Sequence, residues 1–120
     1  MSRVVRKAWF EAEQVDGVTV VTFTAKDLSG ADDIEAVGQE LFKLLEYFSS
    51  PRLVLNLGSV HRLSSLMLGK LLALNARVRT AGGRMVLCRV SANVQGVFKA
   101  VNLLQTFPIY GEESEAIRSF

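Results

Sequence analysis

Two runs, Trp9 to Val15 and Val18 to Thr24, flank the dipeptide Asp16-Gly17. The second run, Val18-Thr19-Val20-Val21-Thr22-Phe23-Thr24, is rich in β-branched residues, which suit a pleated surface. Both central positions of a two-residue hairpin turn favour positive φ, so Asp-Gly between two such runs predicts a β-hairpin. Residues Ala25 to Ala31 form a polar loop around Ser29-Gly30. From Asp32 to Phe48 the period changes. Ile34, Val37, Leu41, Leu44, Leu45 and Phe48 recur at three- and four-residue spacing, the stripe of an amphipathic helix. Asp32, Asp33 and Glu35 suit the positive end of its dipole. Ser49-Ser50-Pro51 ends it, because the residue before proline is pushed out of the helical region.

Arg52 to Leu57 is apolar on both alternating faces, the pattern of a central parallel strand covered on both sides. Ser64 to Ala81 reads as a helix with Leu68, Leu71, Leu72, Asn75 and Val78 on one face, stopped by a left-handed cap at Gly82-Gly83. Met85 to Val90 is a further strand. Ser91 then caps a helix carrying Val94, Val97, Phe98 and Val101; Thr106 to Tyr110 is a short strand and Glu112 to Phe120 a short helix. The order β-β-α-β-α-β-α-β-α predicts one α/β domain with right-handed crossovers, a mostly parallel sheet and an N-terminal antiparallel hairpin strand. Trp9 to Val15 is expected at the sheet edge, where it could pair between chains.

Composition narrows the class. The chain has 120 residues, 49% of them hydrophobic, with a formal net charge of +2 and a mean hydropathy of +0.25. That is one well-filled domain, expected over residues 1–120 with its core at about 9–118. No apolar run approaches the ~20 residues that span a bilayer. Residues 1–20 carry Arg3, Arg6 and Lys7 without the apolar core of a signal peptide. Cys88 is the sole cysteine, which excludes an internal disulfide and fits a reducing cytoplasmic compartment.

Charge is segregated along the chain. No Asp or Glu lies between Tyr47 and Gly111, a stretch holding Arg52, Arg62, Lys70, Arg77, Arg79, Arg84, Arg89 and Lys99. This segregation allows two outcomes: a solvated basic half paired with acids from elsewhere, or a surface facing an anion or nucleic acid. A nucleic-acid reader is usually more basic, or interleaves aromatics with its cations. This chain has neither feature, and no nucleic-acid partner is expected.

Few residues could carry chemistry. His61 is the only histidine, which leaves histidine-based metal sites and a catalytic triad without support and favours an exposed loop residue. Cys88, mid-strand, reads as a buried structural thiol rather than a reactive one. No glycine motif cradles phosphate, and the seven phenylalanines are scattered. No cofactor and no enzymatic activity are expected. More specific is the run from Leu53 to Ser65, which passes from strand through a short loop to two serines at a helix start. Ser64 as N-cap accounts for one of them. A phosphate there would meet free N–H groups and the helix dipole, so a serine at this point also suits a switch.

At this segment the chain resembles the STAS family of bacterial anti-sigma-factor antagonists. The matching residues are Leu53-Val54-Leu55-Asn56-Leu57, Val60, Ser64-Ser65, Leu68-Gly69, Ala81-Gly82-Gly83 and Met85-Val86-Leu87-Cys88. Val97-Phe98, Leu103-Leu104 and Gly111-Glu112-Glu113 also match, and the likeness covers about Val18 to Ile117. The resemblance implies helices mainly on one face of the sheet. In family members that switch, an Asp-Ser-Ser-Gly motif opens the helix and its first serine is phosphorylated. The Asp falls on Ser64, the phosphoacceptor on Ser65, the second serine on Leu66 and the glycine on Met67, so Ser65 alone is retained.

The resemblance implies partner switching. The unphosphorylated antagonist binds a kinase-like anti-sigma factor; phosphorylation weakens that complex and a serine phosphatase restores it. Ser65 is then the acceptor, with Ser64 the alternative, and His61, Arg62, Ser64, Leu66, Met67 and Lys70 face the partner, with Leu66 and Met67 as exposed apolar contacts or as core. No membrane partner is expected, and the resemblance implies a monomer when free. Two other readings stay open: a constitutive STAS interaction module without the switch, and a small anion- or nucleic-acid-binding protein.

Overall fold

Asp16 and Gly17 both have positive φ, 53° and 79°, and the strands on either side pair from Val15↔Val18 outward to Phe10↔Phe23. The hairpin predicted from Asp-Gly therefore forms. The structure is a computed structural model that describes residues 4–47, 52–103 and 105–120. In chain order its elements are β1 (Val4–Arg6), β2 (Phe10–Val15), β3 (Val18–Phe23), β4 (Asp27–Leu28), α1 (Ala31–Tyr47), β5 (Arg52–Asn56), β6 (Arg62–Leu63), α2 (Ser65–Thr80), β7 (Arg84–Cys88), α3 (Ala92–Ala100), β8 (Ile109–Tyr110) and α4 (Glu113–Arg118). The helix stop expected at Ser49-Ser50-Pro51, together with Phe48, lies outside the described residues, as does Leu104.

Six strands form one sheet in the order β1-β2-β3-β5-β7-β8, antiparallel across the first three and parallel from β3 to β8. The α/β class and the single mostly parallel sheet thus follow the sequence pattern. Two details differ. Val4 to Arg6 pairs outside β2, with Val4 opposite Glu13 and Arg6 opposite Glu11, so the edge is this three-residue strand and not Trp9 to Val15. The edge is short and carries Arg6, two features that discourage pairing between chains. The loop after β3 also contributes a strand: Asp27 and Leu28 pair in parallel with Arg62 and Leu63 as a separate two-stranded ribbon.

Alternation along the strands divides the interior. Val21, Phe23, Leu53, Leu55, Met85 and Leu87 face one side, where α1, α2 and α3 contribute Ile34, Val37, Leu41, Leu68, Leu71, Val94 and Phe98. Phe10 and Phe23 meet there edge to face, with ring centroids 5.9 Å apart. Val18, Val20, Val54, Val86 and Cys88 face the other side, which is covered by Ala116 and Ile117 of α4 and by Phe120. Helices mainly on one face is the observed arrangement, and coverage of both faces explains why β5 reads as continuously apolar.

Helices α1 and α2 pack closely. A Cβ at Gly38 would sit 3.1 Å from Cδ of Lys70, so the lysine stem lies across the glycine while its ammonium reaches Glu35 at 2.9 Å. Helix α2 ends in a Schellman motif. Gly83 N–H donates to Val78 and Gly82 N–H to Arg79, with Gly82 at φ 81°. Acids from elsewhere meet part of the acid-free half, through Lys70–Glu35 and Arg89–Glu112.

Candidate partner-docking site at the start of helix α2

Strand β5 ends in Asn56, whose side chain organises the connection to α2. Its Oδ1 accepts the Gly58 N–H at 2.9 Å, and its Nδ2 donates to Glu113 Oε1 at 3.0 Å. The chain then turns, with Val60 N–H donating to the Leu57 carbonyl at 3.1 Å. Gly58 makes room for the Arg89 side chain: a Cβ there would lie 2.8 Å from Nε of Arg89 and 3.1 Å from the Asn56 oxygen, so the arginine would have to shift. Arg89, held at φ 56°, reaches on to Glu112 at 3.4 Å. This latch between the β5–α2 connection and α4 is visible in the sequence only as Asn-Leu-Gly after an apolar strand, a signal too short to assign a role.

Past the turn the connection is tied to the loop after β3. The N–H groups of His61 and Arg62 donate to the Lys26 carbonyl at 2.8 and 3.2 Å, and that of Ser64 to the Leu28 carbonyl at 3.1 Å. These bonds deliver Ser64 in an extended conformation, φ −82° and ψ 163°, with its hydroxyl accepting the Met67 N–H at 3.2 Å. Ser64 is the N-cap. Ser65 is the first helical residue, and its side chain is exposed, as are those of His61, Arg62 and Leu66. Leu66 stands out because 49% of its surface remains accessible. Lys70, one turn on, is half-buried and paired with Glu35.

Of the two alternatives open for Met67, exposed contact or core, the structure shows the core. It is fully buried, for a geometric reason: Met67, Leu71, Leu74 and Val78 recur at three- and four-residue spacing on the side of α2 that faces the sheet. The side chain that replaces the motif's glycine therefore points into the core and adds no bulk at the surface. Of the candidate site residues, His61, Arg62, Ser65 and Leu66 are exposed, and Ser64 and Lys70 are half-buried.

The first turn of α2 contains no acidic residue, so the positive end of its dipole is left without a carboxylate of its own. Cys88 lies below the latch, fully buried. Burial first, and then the nearby Glu113 carboxylate, push its thiol up to about 12, so it stays protonated at neutral pH. Among the described residues no group of three or more His, Cys, Asp and Glu side chains could hold a metal ion, and no helix is long and apolar enough to cross a membrane.

Comparison with known proteins agrees with this architecture. The STAS domain family model matches residues 10–116. An anti-sigma factor antagonist from Mycobacterium paratuberculosis superimposes with a TM-score of 0.78 at 22% identity, covering 99% of this chain and 93% of that one. An anti-sigma-factor antagonist (STAS) domain protein from Planctomyces limnophilus gives 0.76 at 22% identity, over 98% and 95%. The phosphorylated form of the Bacillus cell fate determinant SpoIIAA gives 0.70 at 19% identity, over 92% and 97%. No curated protein matches the sequence. With a family model that spans nearly the whole fold, from β2 into α4, this chain belongs to the STAS domain family.

Proposed function

We propose that this protein is a non-enzymatic regulatory module of the anti-sigma-factor-antagonist kind, whose docking to a kinase-like anti-sigma factor is controlled by phosphorylation of Ser65 and reversed by a serine phosphatase. The observation that carries the reading is the division of labour between adjacent serines. Ser64 is occupied as the cap, and Ser65 presents an exposed hydroxyl at the first position of the helix. A phosphate on Ser65 adds close to two negative charges where unpaired N–H groups and the dipole favour anions, so the fold tolerates it. The same charge lands between Arg62 and Leu66 on the exposed rim. It would alter both the electrostatics and the apolar contact of a docked partner.

The test is intact-mass and phosphopeptide mapping of protein isolated from its native cells, with Ser65→Ala and Ser64→Ala alongside. A phosphate that disappears only in Ser65→Ala is the expected result. Loss only in Ser64→Ala would move the acceptor. Complete absence of phosphate under growth, stress and stationary conditions would refute the switch. One observation favours a second reading, a constitutive interaction module: Ser64 occupies the position of the motif's aspartate and serves as a cap, so no carboxylate stands beside the acceptor. Partner binding that persists unchanged in Ser65→Asp would select it.

A further inference from the structure

Asn75 sits ten residues after Ser65 on α2, about 15 Å along the axis, and the switch does not use it. It lies among core positions, with Leu71, Leu74 and Val78 on the same helix and only 9% of its surface accessible. The little of its surface that stays accessible opens into a cleft. An amide stands out here, because a leucine would continue the apolar pattern of this helix face. The amide lines a cleft of about 250 Å³ whose other walls are Arg79, Gly83, Arg84, Met85, Thr106 and Pro108.

The lining chemistry is one-sided. Arg79 lies one turn beyond Asn75, on the same face, and is exposed. No carboxylate lines the cleft among the described residues. The Arg84 guanidinium is engaged on the opposite side of the sheet, by the Ser119 carbonyl at 3.0 Å, the Tyr110 hydroxyl at 3.4 Å and the Phe120 ring. The Pro108 carbonyl is taken by Leu87 N–H, and the Gly83 N–H by Val78. What remains free to meet a ligand is the Asn75 amide, the Arg79 guanidinium and the Thr106 hydroxyl. These are donors set around a pocket that excludes acids, and the guanidinium fork matches a tetrahedral oxyanion. We propose that this cleft at the C-terminal end of α2 binds a small phosphate-type oxyanion, with Asn75 and Arg79 as its principal ligands and Thr106 closing the rim.

The proposal is independent of the phosphoserine reading and is tested without it. Isotope-labelled protein is titrated with sodium phosphate at constant ionic strength, with chloride as control, following the Asn75 side-chain amide and the Arg79 Nε–H by NMR. Saturable shifts of both groups are expected, with affinity reduced at least tenfold in Arg79→Gln, whose exposed side chain can be changed without threatening the fold. Asn75→Leu should abolish the shift at Arg79. A parallel titration with glycerol 3-phosphate identifies the source. Tighter binding of the ester than of phosphate assigns a phosphomonoester, and the reverse assigns free phosphate; either supports the site. Shifts that are absent, match the chloride control, persist in Arg79→Gln, or arise only with acetate would overturn it.

Discussion

The Ser64 hydroxyl accepts the Met67 backbone N–H at 3.2 Å while the Met67 side chain is completely buried, so one turn of α2 is fixed twice, from outside by a cap and from inside by the core. Ser65 lies between these two anchors with its side chain in solvent. A segment held in this way can take up or lose a charged group without unwinding. The capping bond and the exposed hydroxyl thereby fall to different neighbours.

Replacement of the two serines should separate these roles. Ser64→Ala removes the acceptor for an otherwise orphaned N–H, and chemical denaturation should show a loss of about 1 kcal/mol. Ser65→Ala, at an exposed first helical position with no capping bond, should change stability by no more than about 0.5 kcal/mol. Equal losses for the two variants would contradict the assignment of Ser64 as the cap.

The adjacent apolar pair should divide in the opposite sense. Met67→Ala opens a cavity beneath α2 and should cost about 2–5 kcal/mol. Leu66→Ala, half-exposed, should leave the denaturation midpoint nearly unchanged. If the rim is the docking face, Leu66→Ala should nevertheless weaken partner binding at least tenfold by calorimetry. A Leu66→Ala variant that binds at full strength would remove this residue from the interface.

Most of the architecture was legible because its elements bury regular faces. The stripe from Ile34 to Leu44, the continuous apolar run of β5 and the Asp16-Gly17 turn each carry several consistent positions. What escaped was decided by long-range pairing. Val4 to Arg6 is too short to show a period, and Asp27-Leu28 becomes a strand only because Arg62-Leu63 arrives beside it. Met67 and Leu66 are adjacent apolar residues at a helix start, where spacing alone left contact and core both open, and only packing on the sheet placed Met67 inside. The latch of Asn56, Gly58, Arg89 and Glu113 joins residues up to 57 positions apart, so no local pattern could reveal it.

Acid should loosen the N-terminal part of the sheet first. Lys7 lies 3.1 Å from Glu40 and joins the β1–β2 connection to α1, while Lys43 adds a second cation at 3.6 Å. The hydrogen bond from Lys7, more than any other influence, holds the Glu40 carboxyl below its usual range. A carboxylate with a depressed folded pKa contributes stability above its unfolded value, and that contribution is lost as pH falls through the folded one. Glu40→Gln should therefore lower stability at pH 7 by less than about 1 kcal/mol, as expected for a partly exposed pair. The difference from wild type should shrink below pH 4.5, the ordinary value for this group. A difference that is constant with pH would show that the pair contributes nothing electrostatic.

At the alkaline end the governing group is Cys88. Its thiol is raised from 9.0 to about 12 by burial, with Glu113 adding to the shift. The unfolded chain therefore releases this proton before the folded one does. Between pH 9 and 12 the unfolded state binds fewer protons, so stability is fully present below the unfolded value and declines as pH rises through this window. Cys88→Ala should flatten that decline while losing some packing at neutral pH, and urea denaturation at pH 7 and pH 10 measures both effects. The same protonated, inaccessible thiol should resist alkylation by iodoacetamide in the native protein and react freely only in denaturant. Rapid native-state modification would show that the core beneath the Asn56–Glu113 latch opens readily, and that the latch does not close this end of the sheet.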